Sequence, residues 1–148
     1  MRRWMLVLAL LPGWISAAAA RPIGAIPYDK MLRDADLVVV ATAVKSDDTK
    51  DMPATDWKLP WIGIDTTLTI QAVFKGERPE KLVVLHYRVK DGVGVPNGPL
   101  LVTFRPPASP LTGPDYLLFL KRRPDGRYEP LSGPIDPVLS VKEMVWPR

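Results

Sequence analysis

The chain predicts a mainly β protein: a single small barrel, closed or partly open, of five to six strands with one short N-terminal helix. Three stretches carry that reading. Asp36–Lys45 (DLVVVATAVK) holds four valines and a threonine with no glycine or proline, the strongest strand signal in the chain. Its apolar character runs on both parities, so both faces are expected to be covered, as in the central strand of a closed sheet. Ile62–Phe74 alternates with a period of two, and Tyr116–Leu120 is apolar throughout.

Residues 1–20 read as an export signal rather than as part of the fold. Arg2 and Arg3 form a basic start, Trp4 to Leu11 an apolar run, and Pro12-Gly13 a break. Ala18-Ala19-Ala20 supplies small residues for cleavage before Arg21. The apolar run is shorter than a membrane span of about 20 residues. The expectation is a signal peptide over 1–20, one domain over 21–148, a secreted or periplasmic location, and no stable membrane insertion after cleavage. Without Arg2 and Arg3 the 20 basic residues become 18 against 16 acidic ones, a net charge of +2, so the basic isoelectric point is no nucleic-acid signature. Cysteine is absent, which excludes disulfides, thiolate metal sites, cysteine nucleophiles and a lipid-modified cysteine.

In chain order, Ile26–Ala35 reads as a short helix. Tyr28, Met31, Leu32 and Ala35 share one apolar face, Pro27 suits the first helical position, and the face is expected to plug one end of the sheet. After the organising strand, residues 46–60 read as an acidic loop flanked by Trp57 and Trp61, which either pack down on the barrel or face a partner. In the next strand Ile62, Ile64, Thr66, Leu68, Ile70, Ala72 and Phe74 take one parity, the expected buried one; Asp65, Thr67, Thr69 and Gln71 take the wet one. Lys75–Pro79 turns the chain into a strand over Lys81–Val89, giving a hairpin. Gly- and Pro-rich segments at 90–99 and 105–114 bracket a short strand, Leu100–Phe104. Pro124-Asp125-Gly126 makes a tight turn from Tyr116–Leu120 into a second hairpin at Tyr128. The tail after Asp136-Pro137 carries both a helix-cap signal and a β-rich run, and stays open between helix and strand. Val40, Leu68, Ile70, Val84, Leu118 and Leu120 are expected in the core.

An ordered set of pieces now stands out: a short helix ending in Ala35-Asp36-Leu37-Val38-Val39-Val40-Ala41-Thr42, a long strand closing on Val73-Phe74-Lys75-Gly76, then Asp115–Leu120 and a hairpin to Tyr128 and Gly133. Over roughly residues 27–133 this resembles the bacterial exported proteins with an OB-like barrel, similar to the N-terminal domain of tissue inhibitors of metalloproteinases. The resemblance implies the fold. The animal inhibitors chelate the protease zinc through an N-terminal cysteine, whereas the expected mature start here is Arg21-Pro22, with no crosslink to hold it and no cysteine in the chain. The departure removes that inhibitory mechanism.

No residue set commits to a chemistry, and no catalytic, cofactor-binding or metal-binding residue is assigned. The aspartates of 46–60 lack the alternating oxygen ligands, interior glycine and closing Glu of a calcium loop. His86 is the only histidine, so zinc has no ligand set. Ser46, Ser109, Ser132 and Ser140 sit in no nucleophile-elbow pattern, and Gly92-Val93-Gly94 leads into no helix. Lys121, Arg122, Arg123 and Arg127 cluster at the second hairpin, read as a solvated tip rather than a nucleic-acid surface. The expected function is therefore a non-enzymatic binding module without a cofactor. It would work through the loops at 46–60, 90–99 and 105–114 on an unidentified protein or envelope component. The alternative is a small exported hydrolase using His86 with Asp65 or Glu77.

Overall fold

The structure is a computed structural model that describes residues 21–91, 93–106 and 113–144. The export signal expected over 1–20 and Ser109 lie outside the described residues. Helix α1 (Tyr28–Asp34) precedes β1 (Leu37–Thr49), β2 (Trp61–Lys75), β3 (Leu82–Val89), β4 (Asp115–Arg122), β5 (Tyr128–Pro130), a 3-10 turn (Pro137–Leu139) and β6 (Val141–Met144). β1 lies between β2 and β4, and β3 joins the short β5 in parallel through Val84 and Tyr128. β5 returns to β4, which closes a five-stranded mixed barrel compatible with an OB-like fold. β6 adds a sixth strand on β4, Asp115–Leu118 pairing with Met144–Val141. The tail left open between helix and strand forms both in turn.

The organising strand is covered on both faces, as its composition requires. Leu37, Val39, Ala41 and Ala43 share the interior with Leu68, Ile70, Leu82, Val84, Tyr116, Leu118 and Leu120. Val38, on the other face, packs under Met31, Ala35 and Phe119. All six expected core residues are buried. Both hairpins form, β2 with β3 and β4 with β5.

Four details depart from the sequence expectations. α1 does not plug a barrel end: Met31 and Ala35 fasten it to the outer wall over Val38 and Phe119, and Pro27 stands one residue before it. The residues that close the barrel interior come instead from the β3–β4 connection, where Val102 and Phe104 join the core. Leu100–Phe104 nevertheless forms no strand, because neither edge of it meets a ladder partner. Nor is 46–60 wholly loop, since Ser46–Thr49 prolong β1 against Gly63–Thr66. Finally, the parity of β2 breaks near its end. The β1–β2 register skips Gln71 and Phe74 on β2 and Val44 on β1, and such bulges shift every later side chain by one face. Val73 therefore packs on the core, while Ala72 and Phe74 point out.

The same bulges make a joint. Lys75, paired across from the outward Val38, donates from Nζ to the carbonyls of Leu32 (2.9 Å) and Arg33 (2.8 Å), two of the unpaired acceptors at the end of α1. Gly76 has φ +86°, and an added Cβ would run into the Asp36 carbonyl oxygen. The Asp36 carboxylate accepts from the Arg122 N–H at 2.9 Å. The end of α1, the start of β1 and the ends of β2 and β4 thus meet at one corner of the barrel.

Candidate functional site

OB barrels bind strands and sugars on the face of strands 2 and 3, between the loops that follow strands 1 and 4. In this chain that region is filled by the protein itself. Leu85 and Tyr87 of β3 and Trp61 of β2 are buried beneath Trp57, Leu59, Leu101 and Ile135. The Trp61 indole N–H donates to the Trp57 carbonyl at 2.9 Å, and its ring meets Tyr87 edge-on. Trp61 packs down, as one of its two expected readings had it.

The flanking loops are fastened together. Arg127, after the β4–β5 turn, forms a bidentate pair with Asp51 (2.8 and 3.0 Å) in the β1–β2 connection. It also reaches Asp65 of β2 (2.9 Å) and Asp125 (2.8 Å). Arg123 pairs with Glu129 at 2.7 Å and with Asp125 at 3.3 Å. The Arg127 guanidinium holds the Asp51 carboxyl down at about 2 and keeps that of Asp125 below the usual carboxylate range. Two of the four expected tip cations are therefore spent on carboxylates rather than solvated, which corrects the reading of the tip; Lys121 and Arg122 stay exposed.

The acidic loop disperses its charges. Asp47 goes to Lys45 (2.7 Å), Asp48 to Arg88 (2.9 Å) and Asp51 to Arg127. Among the described residues no group of three or more carboxylates and histidines is gathered to hold a metal. Arg21 is not loose. Its guanidinium makes a bidentate pair with Asp136 (2.7 Å each), stands 5.3 Å over the Trp57 ring and donates to the Gly98 carbonyl. Ser132 and Ser140 bond to each other at 2.8 Å inside the tail.

His86 lies in the barrel interior, 3% exposed. Its Nε2 is 2.8 Å from the Thr66 hydroxyl, which is 2.7 Å from that of Ser46. Burial pushes its pKa down to about 4, outweighing a Val102 backbone hydrogen bond that acts the other way. Neither candidate carboxylate reaches it. Asp65 is opposite Leu85, on the other face, and bonds Arg127; Glu77 is in the β2–β3 connection beside Arg78 and Arg122. Among the described residues no histidine–carboxylate pair is brought together.

What the structure does bring together is an apolar groove on the outer wall that sequence reasoning missed. Tyr28 (59% exposed), Leu32 (46%) and Phe74 (64%) stand around a floor of Val38, Leu117 and Phe119. The groove is open, about 440 Å³, with Asp29 as the one charged residue among its described lining. Residue parity puts Phe74 inward because a bulge carries no signal in it; Tyr28 and Leu32 belong to the helical stripe expected to be buried whole. Comparison with known proteins gives no family: no family model matches the chain, and no curated protein matches it.

Proposed function

We propose that the chain is an exported, non-enzymatic binding module that seats an apolar segment of a partner protein in the groove between α1 and the end of β2. The observation that carries this is the cluster of Tyr28, Leu32 and Phe74, three large apolar side chains left exposed around one concave floor. A small-molecule site would bring convergent polar groups to an enclosed pocket, and this groove is open, its described lining carrying only the Asp29 carboxylate and the Tyr28 hydroxyl. Asp29 at the rim is exposed and pairs loosely with Arg33 (3.7 Å), so the groove is edged by an ion pair, and its apolar anchors carry the recognition. The partner class remains the one expected from the sequence, a protein or envelope component, but the surface moves from the loops to the outer wall. The likeness to the metalloproteinase-inhibitor barrel belongs to this reading as a fold relationship, supported by the ordered residues that meet at the Asp36–Gly76 corner.

The test is variant-dependent capture from the native envelope fraction. A partner retained by the native chain should be lost on Phe74→Asp and on Leu32→Asp, and kept on Val44→Asp, which places the same charge on an equally solvated bulge of β1. Capture that survives both groove substitutions places the interface elsewhere and ends this reading.

A further inference from the structure

Residues 93–106 lie across the barrel mouth without joining the sheet; none of them pairs as a strand. Side chains hold the segment in place. Phe104 is 3% exposed, its ring edge-on to His86 on one side and to Tyr116 on the other, with centroids 4.9 Å apart in both cases. The Leu100 N–H donates to Asp136 (3.1 Å) and the Arg105 N–H to the Tyr116 hydroxyl (2.9 Å). Beneath this plug His86 bonds Thr66 through Nε2, while Nδ1 makes no well-formed hydrogen bond, the Val102 backbone being the polar group of the plug that acts on the ring.

A neutral imidazole tolerates that site. An imidazolium carries two N–H donors and a charge that must be hydrated or paired. The facing groups supply one backbone acceptor, at Val102, and no charge left over to pair: Glu129 of β5, which lines a small cavity with His86, is already taken by Arg123. β1 offers the Ser46 hydroxyl and, farther along, Asp48, already paired with Arg88 of β3. β2 offers Thr66, which already bonds Ser46; the plug offers Phe104 and the Val102 backbone. β4 offers Tyr116, and the Arg105 guanidinium beside it pairs with Glu143.

We infer that protonation of His86 releases the 93–106 segment from the barrel mouth while the five-stranded barrel stays closed. The β2–β3 wall carries eight paired positions. The β3–β5 seam carries one, but β5 is laddered to β4 at three more and held by the Arg123–Glu129 pair. The unladdered plug is therefore the part that yields to let water reach the ring. The sign follows from burial. The covered imidazole has its pKa near 4, and the uncovered one returns to the ordinary 6.5. The open form therefore takes up the proton first as pH falls through 6.5, and the plug loses stability until about pH 4. At pH 5 that difference multiplies the open population about thirtyfold over its value at pH 7.5. Asp136, the plug's other acid-sensitive fastening, is held below its usual range by Arg21 and stays ionised at pH 5.

Hydrogen exchange by mass spectrometry, on the chain as its host produces it, tests this at pH 7.5 and pH 5 after correction for intrinsic rates. Peptides over 93–106 should lose protection about thirtyfold at pH 5, those of β1 and β4 should keep it, and His86→Gln should abolish the pH dependence. Should His86→Gln not fold, the single imidazole is followed by NMR in the native chain; a midpoint well below 6.5 with plug amides shifting in step supports the switch. Unchanged plug protection, loss of plug and barrel protection together, the same loss in His86→Gln, or an imidazole midpoint near 6.5 would each overturn it.

Discussion

The parity break in β2 makes a sharp stability prediction, because a small residue inside should matter more than a large one outside. Leu118 is fully buried, paired across to Val39 of β1 and Val141 of β6. Leu118→Ala deletes three carbons, about 2.4 kcal/mol of transfer free energy at about 0.8 per methylene. Both neighbours are fixed by ladders, so the cavity collapses poorly and the total should reach about 3–4 kcal/mol. Phe74→Ser removes a larger side chain from a position 64% exposed and should cost no more than about 0.5 kcal/mol. Val73→Ala, one residue earlier and packed on the core, should cost about 1 kcal/mol. Urea unfolding followed by tryptophan fluorescence measures all three, with m unchanged as the control for two-state behaviour. A Phe74→Ser cost above about 1.5 kcal/mol, with Val73→Ala neutral, would put Phe74 in the core and remove the bulges from β2.

Gly76→Ala should cost about 2–4 kcal/mol, since it adds a collision with the Asp36 carbonyl to the 1–2 kcal/mol of a left-handed backbone, whereas Gly126→Ala at φ +87° in open space should cost only the latter. Arg127→Gln should destabilise the native chain at pH 7 by about 1 kcal/mol, the Asp51 pair being discounted for its partial exposure. Because Asp51 is held at about 2, below its ordinary 3.8, that contribution is present above pH 4 and lost as pH falls towards 2; the stability curves of native chain and variant should therefore converge in acid. Intact-mass measurement on protein from the native host should give a chain starting at or near Arg21, and a membrane-bound mass retaining Met1–Ala20 would refute export by cleavage.

What was legible in the sequence was whatever depends on local pattern. The valine run of β1, the alternation of Ile64, Thr66, Leu68 and Ile70, and the Pro124-Asp125-Gly126 turn each declare themselves within a few residues, and the core followed from them. What was hidden depends on partners far along the chain. Arg127 meets Asp65 and Asp51 across 62 and 76 residues, so a cluster that reads as a bare cationic tip folds as an ion-pair network. Barrel closure rests on one parallel pair, Val84 with Tyr128, which no hairpin signal announces. Val102 and Phe104 alternate like a strand but are buried by docking on the barrel interior, and alternation alone does not distinguish the two.

The groove follows from how α1 is fastened. One register skip, at Gln71, keeps Val73 in the core; the second, at Phe74, turns Lys75 out beside Val38, where its ammonium reaches the carbonyls ending the helix. With Met31 and Ala35 buried and Lys75 across its last turn, α1 is pinned by half of its apolar stripe. The other half, Tyr28 and Leu32, stands opposite Phe74, with the Tyr28 ring against Phe119. Tyr28 helps strap the helix through its ring contact with Phe119, but Leu32 is half exposed and a helix serving only as a strap would need no apolar residue there. The region where OB barrels usually take ligands is meanwhile filled by Trp57, Leu59, Leu101 and Ile135 and locked by Arg127. Exposed apolar area held in a fixed concave shape binds with little loss of conformational entropy. Recognition by this barrel is therefore best sought on its outer wall, and the contrast between Phe74→Asp and Val44→Asp is the measurement that separates a binding surface from an idle one.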